Sequence, residues 1–468
     1  METELNSIPE VPETPATPEA PAIPEAPETA APSGDSFPVW WDGKHINDVL
    51  FVTEFAKTHQ LACLNGEFYS VDGKLDDDRP VRSEIYRLIK PFAKYNLPAK
   101  VGTLTDTLKH ECAVDSIELD TAVINVANGT YYLDGGFSPE KKICRCRLPV
   151  SYNPGAPAPM RFYRFIYDLL EFNDVDTVQE FIGYCLLPLT NAQKMLLIIG
   201  RGGEGKSTLG SVITHLFGNA AMNGSIHGLE TSRFNTANLV NRHVMIDDDL
   251  RLDALPTTNN LKTVVTAIDP ILVEKKGLQP HLAKVYCRLI GFGNLTLESL
   301  NDTSVGFFRR QIILRTKDAD KGRVNDPILA SLLCGELEGI LLWAIDGLKR
   351  LIENNFRFSI SDEAKHNLSE AMLEANNIPD FIYGGNTMLD SYIEVTATEL
   401  YNAYVSWCNL NGEDALPRKR FVKFLKDSGK RYGIRYSKEV RNGNTLVRGF
   451  VGIALKDKTS EPCDEPTG

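Results

Sequence analysis

A chain of 468 residues with 43% apolar side chains has the material for about three domains with sizeable cores. Its net charge of −12 argues against a uniformly basic nucleic-acid binder, but residues 1–36 hold eight acids and no Lys or Arg, so the remainder carries only −4. Nine irregularly spaced cysteines argue against a disulfide framework, and no stretch reaches the ~18 apolar residues of a membrane span.

Along the chain, prolines at positions 9, 12, 15, 18, 21, 24 and 27 predict an extended, solvated tail over 1–36. Residues 37–159 read as an N-terminal α+β domain. A short helix is expected near 48–61, and FYSV between Asn65-Gly66 and Asp72-Gly73 predicts a small hairpin. Asp76, Asp77 and Asp78 read as a solvated turn. AVINVANGTYYL and ICRCRLPVSY read as strands, with a hairpin turn at Asn128-Gly129. Cys144 and Cys146 form a C-x-C with no partner pair, a weak zinc signal, so reduced thiols and a cytoplasmic location are expected. From 160 to 189 the apolar spacing is helical.

MLLIIGRGGEGKSTLGSVITHLF, at 195–217, is the most informative stretch. A buried strand, a G-x-x-x-x-G-K-S loop and a helix stand in the order that a Walker A motif requires. Gly200, Arg201, Gly202, Gly203, Glu204, Gly205, Lys206, Ser207 and Thr208 are the expected ATP-binding residues. The glycines let backbone N–H groups curl around phosphates, Lys206 reaches the β- and γ-phosphates, and Ser207 holds Mg²⁺. Some forty residues on, an apolar strand ends in Asp247, Asp248 and Asp249. Asp247 is assigned to the metal and Asp248 to the attacking water, with Asp249 able to replace either. YCRLIGFGN offers Asn294 as a γ-phosphate sensor, and Arg309 and Arg310 precede a further strand as candidate arginine fingers.

These motifs, in this order and spacing over 124–316, resemble the superfamily 3 helicases, AAA+-type ring ATPases, and among them the poxvirus-type and phage/plasmid primase-helicase branch. INVANGTYYL with LPVSYNP, FIGYCLLP, and LKTVVTAIDPILVEKKG at 261–277 are similar to that family's segments. The resemblance implies that Lys275 and Lys276 lie on a hairpin that grips DNA in the ring channel. Asp302, Ser304, Gly306, Phe307, Arg309 and Arg310 match D-x-S-x-G-F-x-R-R, with Arg309 the better finger. The chain departs from the family at Thr266-Ala-Ile-Asp269, after Asn294, and at Glu204, where Asn is usual. No primase domain is recognisable, so the chain reads as the helicase part alone.

Toward the C-terminus, LLCGELEGILLWAIDGLKRLI predicts a packing helix that closes the ATPase region, 160–375. Residues 391–409 read as helical. The stretch 417–448 is strongly basic, with Arg418, Lys419, Arg420 and Lys423 on an expected helix, followed by a hairpin turning at Asn442-Gly443. Helix plus basic hairpin suggests a winged-helix-like DNA-binding domain over 376–456, and 457–468 is expected to be a second disordered tail. The expected fold is α/β: a P-loop AAA+-type core between the α+β and winged-helix-like domains. The expected activity is an ATP- and Mg²⁺-dependent DNA helicase of phage or mobile-element replication. It would be a homo-oligomer, in number a hexamer, acting on single-stranded and forked DNA alongside a separate primase or initiator. The alternatives are an ATP-switched origin-binding initiator and, more weakly, a regulatory ATPase acting on a protein.

Overall fold

The computed structural model describes residues 37–93, 95–250, 254–275, 277, 279–297, 299, 305–318, 326, 328–374, 377–413, 415–442 and 445–456. The Pro-rich tail, Lys276, Asp302, Ser304, Gly443 and the tail at 457–468 lie outside them. The chain divides into two compact units, Met1–Leu368 and Ser369–Gly468, and residues 37–159 belong to the first.

The first unit begins with α1 (Asp48–His59), whose N-cap Asn47 accepts from Leu50 N and whose C-terminus turns at Gln60 in the left-handed region. Strands β1 (Ala62–Leu64), β2 (Glu67–Ser70) and β3 (Gly73–Lys74) form an antiparallel sheet, the first turn being made by Asn65-Gly66, both with positive φ. Helices α2 (Arg79–Ile89) and α3 (Leu97–Glu111) complete a core of Phe51, Phe55, Val81, Ile85, Leu104 and Leu108. The three aspartates are more than a solvated turn: Asp76, Asp77 and Asp78 pair with Arg242, Arg79 and Lys109.

A second antiparallel sheet holds β4 (Val123–Val126), β5 (Gly129–Tyr132) and β6 (Phe137–Ser138). Val126 pairs with Gly129, so the two-residue turn is Ala127-Asn128, one position earlier than expected. ICRCRLPVSY is not a strand: beyond a single bridge from Cys146 to Gly73 it runs irregularly. The buried Arg147 guanidinium satisfies its neighbours in place of a ladder, donating to the carbonyls of Val71, Val126, Gly129 and Lys142.

Helices α4 (Met160–Leu169) and α5 (Phe172–Cys185) then lead into the central sheet. Its five strands are β7 (Met195–Ile199), β8 (Ala221–Asn223), β9 (Val244–Asp247), β12 (Arg288–Gly293) and β13 (Gln311–Arg315), ordered β13-β7-β12-β9-β8 and parallel throughout. All five β7 residues are buried, as a central parallel strand covered on both faces requires. Between the strands lie α6 (Lys206–Phe217), α7 (Ile226–Thr231), α8 (Asn259–Thr266), the hairpin β10 (Ile271–Val273) and β11 (His281–Ala283), and α9 (Val305–Phe308).

The apolar run after the sheet is two helices, broken at Gly335: α10 (Leu329–Cys334) and α11 (Leu337–Glu353). Helix α11 packs closely on α5, where a Cβ at Gly183 would clash with the Ala344 carbonyl oxygen. Beside that contact the fully buried Glu180 accepts from Arg350 Nε, Ser359 N and Ser359 Oγ, each at 2.7 Å. These contacts compensate a charge that could not otherwise be buried.

Helix α12 (Asp362–Glu374) is followed, in the second unit, by α13 (Ile378–Tyr383), β14 (Thr387–Thr396), α14 (Ala397–Asn411), α15 (Arg418–Ser428), β15 (Arg435–Asn442) and β16 (Thr445–Leu455). Residues 391–396, expected as helix, are strand. The helix begins only at the capping box of Thr396 and Glu399. The antiparallel sheet has the order β14-β16-β15, over a core of Phe381, Leu400, Tyr404, Phe421, Leu425 and Phe450.

Candidate nucleotide site

The C-terminal edge of the parallel sheet gathers the sequence motifs. Gly200 N donates to Gly293 O at 2.9 Å, so the phosphate loop leaves β7 beside the end of β12. Asn294, exposed, follows that end directly and stands at the loop's shoulder. Across β12, Gly291 is in register with Asp247, which brings the end of β9 to the same edge. Gly205, the last loop residue, has φ +110°, and a Cβ there would stand 3.0 Å from the Phe165 ring. Only glycine combines that backbone with that approach. Sequence spacing reads Phe165 as core, and nothing in it ties position 165 to position 205.

Lys206 opens α6 and is nearly buried. Its Nζ lies 2.8 Å from Glu204 Oε2, while Glu204 Oε1 accepts from Gly202 N at 2.7 Å. Burial raises the Glu204 pKa, but Lys206, its own N–H and that of Gly202 outweigh it, and the carboxyl titrates below its ordinary value. Ser207 is exposed on the first turn of α6, Thr208 is half-buried beside it, and Arg201 reaches Asp318 at 3.5 Å, both exposed.

The three aspartates have different surroundings. Asp247 is buried and its Oδ2 accepts from Ile226 N, at the start of α7, at 2.6 Å. Asp248 is exposed, and its Oδ1 lies 3.5 Å from where a Cβ on Gly210 of α6 would stand. Ser207 is one helical turn before Gly210, on the same face. Asp249 is also exposed.

Arg309 and Arg310 lie at the other edge. They precede β13, whose first residue Gln311 is in register with Met195, the first residue of β7. The phosphate loop follows the last residue of β7. Five residues at about 3.3 Å each put roughly 15 Å between the two edges. Arg309 is exposed, with its carbonyl accepting from Lys194 Nζ, and the Arg310 guanidinium donates to Gly306 O.

Lys275 follows β10 in the hairpin connection, with its ammonium 2.7 Å from Glu67 Oε1 of β2, a carboxylate that Lys74 shares at 2.9 Å. Lys276 lies outside the described residues. In the second unit, Arg418, Lys419 and Lys423 are exposed on α15 and Arg420 is half-buried. Arg418, Lys419 and Lys423 border a cavity of about 1100 Å³ that Lys426, Tyr436 and Arg448 also line, with Lys426 Nζ 3.8 Å from the Tyr436 ring centre. Among the described residues no cluster of His, Cys, Asp or Glu is arranged to hold a metal, and no helix is long and apolar enough to cross a membrane.

Residues 198–310 match a protein-family model described as a family of unknown function, DUF5906. No curated protein matches the chain. Among solved structures it is similar to the apo A form of the NrS-1 C-terminal region, at 11% identity, over 82% of this chain and 86% of that one, with a TM-score of 0.45. A second A-form structure, of NrS-1 residues 305–718, gives 10%, 87%, 100% and 0.46. JCV helicase bound to a thiazolopyridine compound is similar at 14% identity over 46% of this chain and 60% of that one, with a TM-score of 0.30. Likenesses of this size do not define the fold, which rests on the strand order above: a mixed α/β unit with a parallel five-stranded sheet, consistent with a P-loop-type core.

Proposed function

We propose that this protein is an ATP-dependent DNA motor, a replication helicase that works as a ring of identical copies. The observation that carries the reading is the division of parts between the sheet's two edges. Loop, aspartates and Asn294 meet at one edge, and Arg309 stands at the other, too far from its own loop to touch the same nucleotide. An exposed arginine so placed suits the pocket of a neighbouring copy, with six copies the number the family resemblance implies.

Within the pocket, Lys206 neutralises the β- and γ-phosphates and Ser207 holds Mg²⁺. The surroundings favour Asp248 over Asp247 as the acid facing that metal, because Asp248 overlies the helix that carries Ser207 while Asp247 is engaged with Ile226 N. Asp249 is then the acid left for the water, and Asn294 is placed to sense the γ-phosphate. Mg²⁺ would supply charge neutralisation at the transferring phosphoryl group.

The second unit's order of helix, strand, two helices and two strands, with the sheet order β14-β16-β15, suits a winged-helix-like domain. Its basic cavity suits a phosphate backbone. This observation also favours the second reading, an initiator that docks on duplex DNA and unwinds little. Two assays separate the readings. A motor shows ATPase stimulated by single-stranded DNA and displaces a strand from a fork. An initiator binds duplex tightly and displaces none. Replacing Lys419 and Lys423 together with Ala should weaken DNA binding about equally across sequences and lower the slope of log affinity against log salt by about 2.

A further inference from the structure

The site just proposed has an occupant of its own. The groups that a phosphate loop offers to an anion are its lysine ammonium and its inward backbone N–H groups. Here one carboxylate takes one of each: Glu204 Oε2 stands 2.8 Å from Lys206 Nζ and Oε1 accepts from Gly202 N at 2.7 Å. The Glu204 side chain is 3% exposed, so it is packed inward among the loop's donors and does not sweep solvent. It remains ionised at neutral pH, because its donors outweigh the cost of burial.

We propose that the Glu204 carboxylate is a built-in competitor for the phosphate loop: it holds Lys206 and the Gly202 N–H in a self-bound state that a nucleotide must displace before binding. The inference rests on the ATPase reading of the same loop. Its physical basis is twofold. Lys206 cannot serve two anions at full strength, and a buried carboxylate beside a polyphosphate repels it. A nucleotide therefore binds only the fraction of molecules whose loop is released, and its apparent affinity falls by that fraction. A neutral amide of the same shape would leave the loop folded and remove the repulsion.

The test is the affinity of the full chain for MgADP, followed with a fluorescent ADP analogue, in wild type, E204Q and E204D. A loop that is mostly self-bound predicts that E204Q binds about tenfold tighter, or more. E204D keeps the charge but is one methylene short of both donors, and should fall between the two. The gap between wild type and E204Q should stay constant from about pH 6 to pH 8, because the lowered pKa keeps the carboxylate charged throughout. Equal affinities in the three proteins overturn the proposal and leave the ATPase reading standing. Weaker binding by E204Q at an unchanged melting temperature also overturns it, since the carboxylate would then be supporting the bound loop. If E204Q does not fold, E204D decides: tighter binding than wild type supports the proposal, and equal or weaker binding overturns it. Absence of MgADP binding in every protein overturns the proposal and the ATPase reading together.

Discussion

The two edges of the central sheet are built for different work. At the C-terminal edge, β7, β9 and β12 end together, and their next residues are a glycine loop, aspartates and Asn294. Parallel strands make this convergence unavoidable, because every crossover returns the chain to the same side. At the N-terminal edge stand Lys194, His243, Arg309 and Arg310, residues that cannot reach the first edge of their own sheet. On the proposed reading, part of a nucleotide site at one edge and the exposed Arg309 at the other suit a subunit that completes its neighbour.

The comparison can be broken from either side. Lys206→Ala removes the cation central to the C-terminal edge and should abolish turnover and nucleotide binding. Activity near wild type would dissolve that edge as a site. Arg309→Ala should cost about 10³-fold in kcat with nucleotide affinity nearly unchanged. A matching loss of affinity would mean that Arg309 acts in ground-state binding instead. The aspartates sharpen the first edge. Asp248→Asn should lower kcat by about 10²–10³-fold at an unchanged melting temperature. Asp247→Asn should mainly weaken the anchor to Ile226 N, at about 1–3 kcal/mol of stability, read by denaturant unfolding.

The smallest effect belongs to the second edge. Burial, then the nearby Arg288, lowers the His243 pKa to about 4, although its Nδ1 meets Cys185 O at 2.8 Å. The unfolded chain takes up that proton near its ordinary pKa and the folded chain does not. Stability from this group is therefore full above about pH 6.5 and is lost as pH falls toward about 4. Between pH 7 and pH 5.5 the loss should be about 1 kcal/mol, and His243→Gln should flatten it.

Much of the first edge was legible in the sequence because each part has a local cause. A doubly covered parallel strand is a continuous apolar run, as at Met195–Ile199, and a phosphate loop must be rich in glycine. ICRCRLPVSY misled because its polar residues are arginines that reach carbonyls across three segments, which alternation cannot distinguish from strand pairing. Residues 391–396 misled for the opposite reason: burial there runs from exposed at 391–392 to buried at 395–396 with no clean alternation, although T-x-x-E at 396–399 already marks the helix start. The surroundings of the aspartates were not legible, since three in a row share a sequence and differ only in what each meets. The Glu204–Lys206 contact was likewise invisible, because it depends on how the loop curls.

Mixing two inactive proteins tests the central claim most directly. Lys206→Ala keeps its arginine and Arg309→Ala keeps its phosphate loop, so a mixed ring contains interfaces with both. If the nucleotide site is shared between copies, an equal mixture should recover up to about a quarter of wild-type ATPase, the share of interfaces that pair an intact loop with an intact arginine. A mixture as inactive as its two components, under conditions where they are shown to co-assemble, would contradict it.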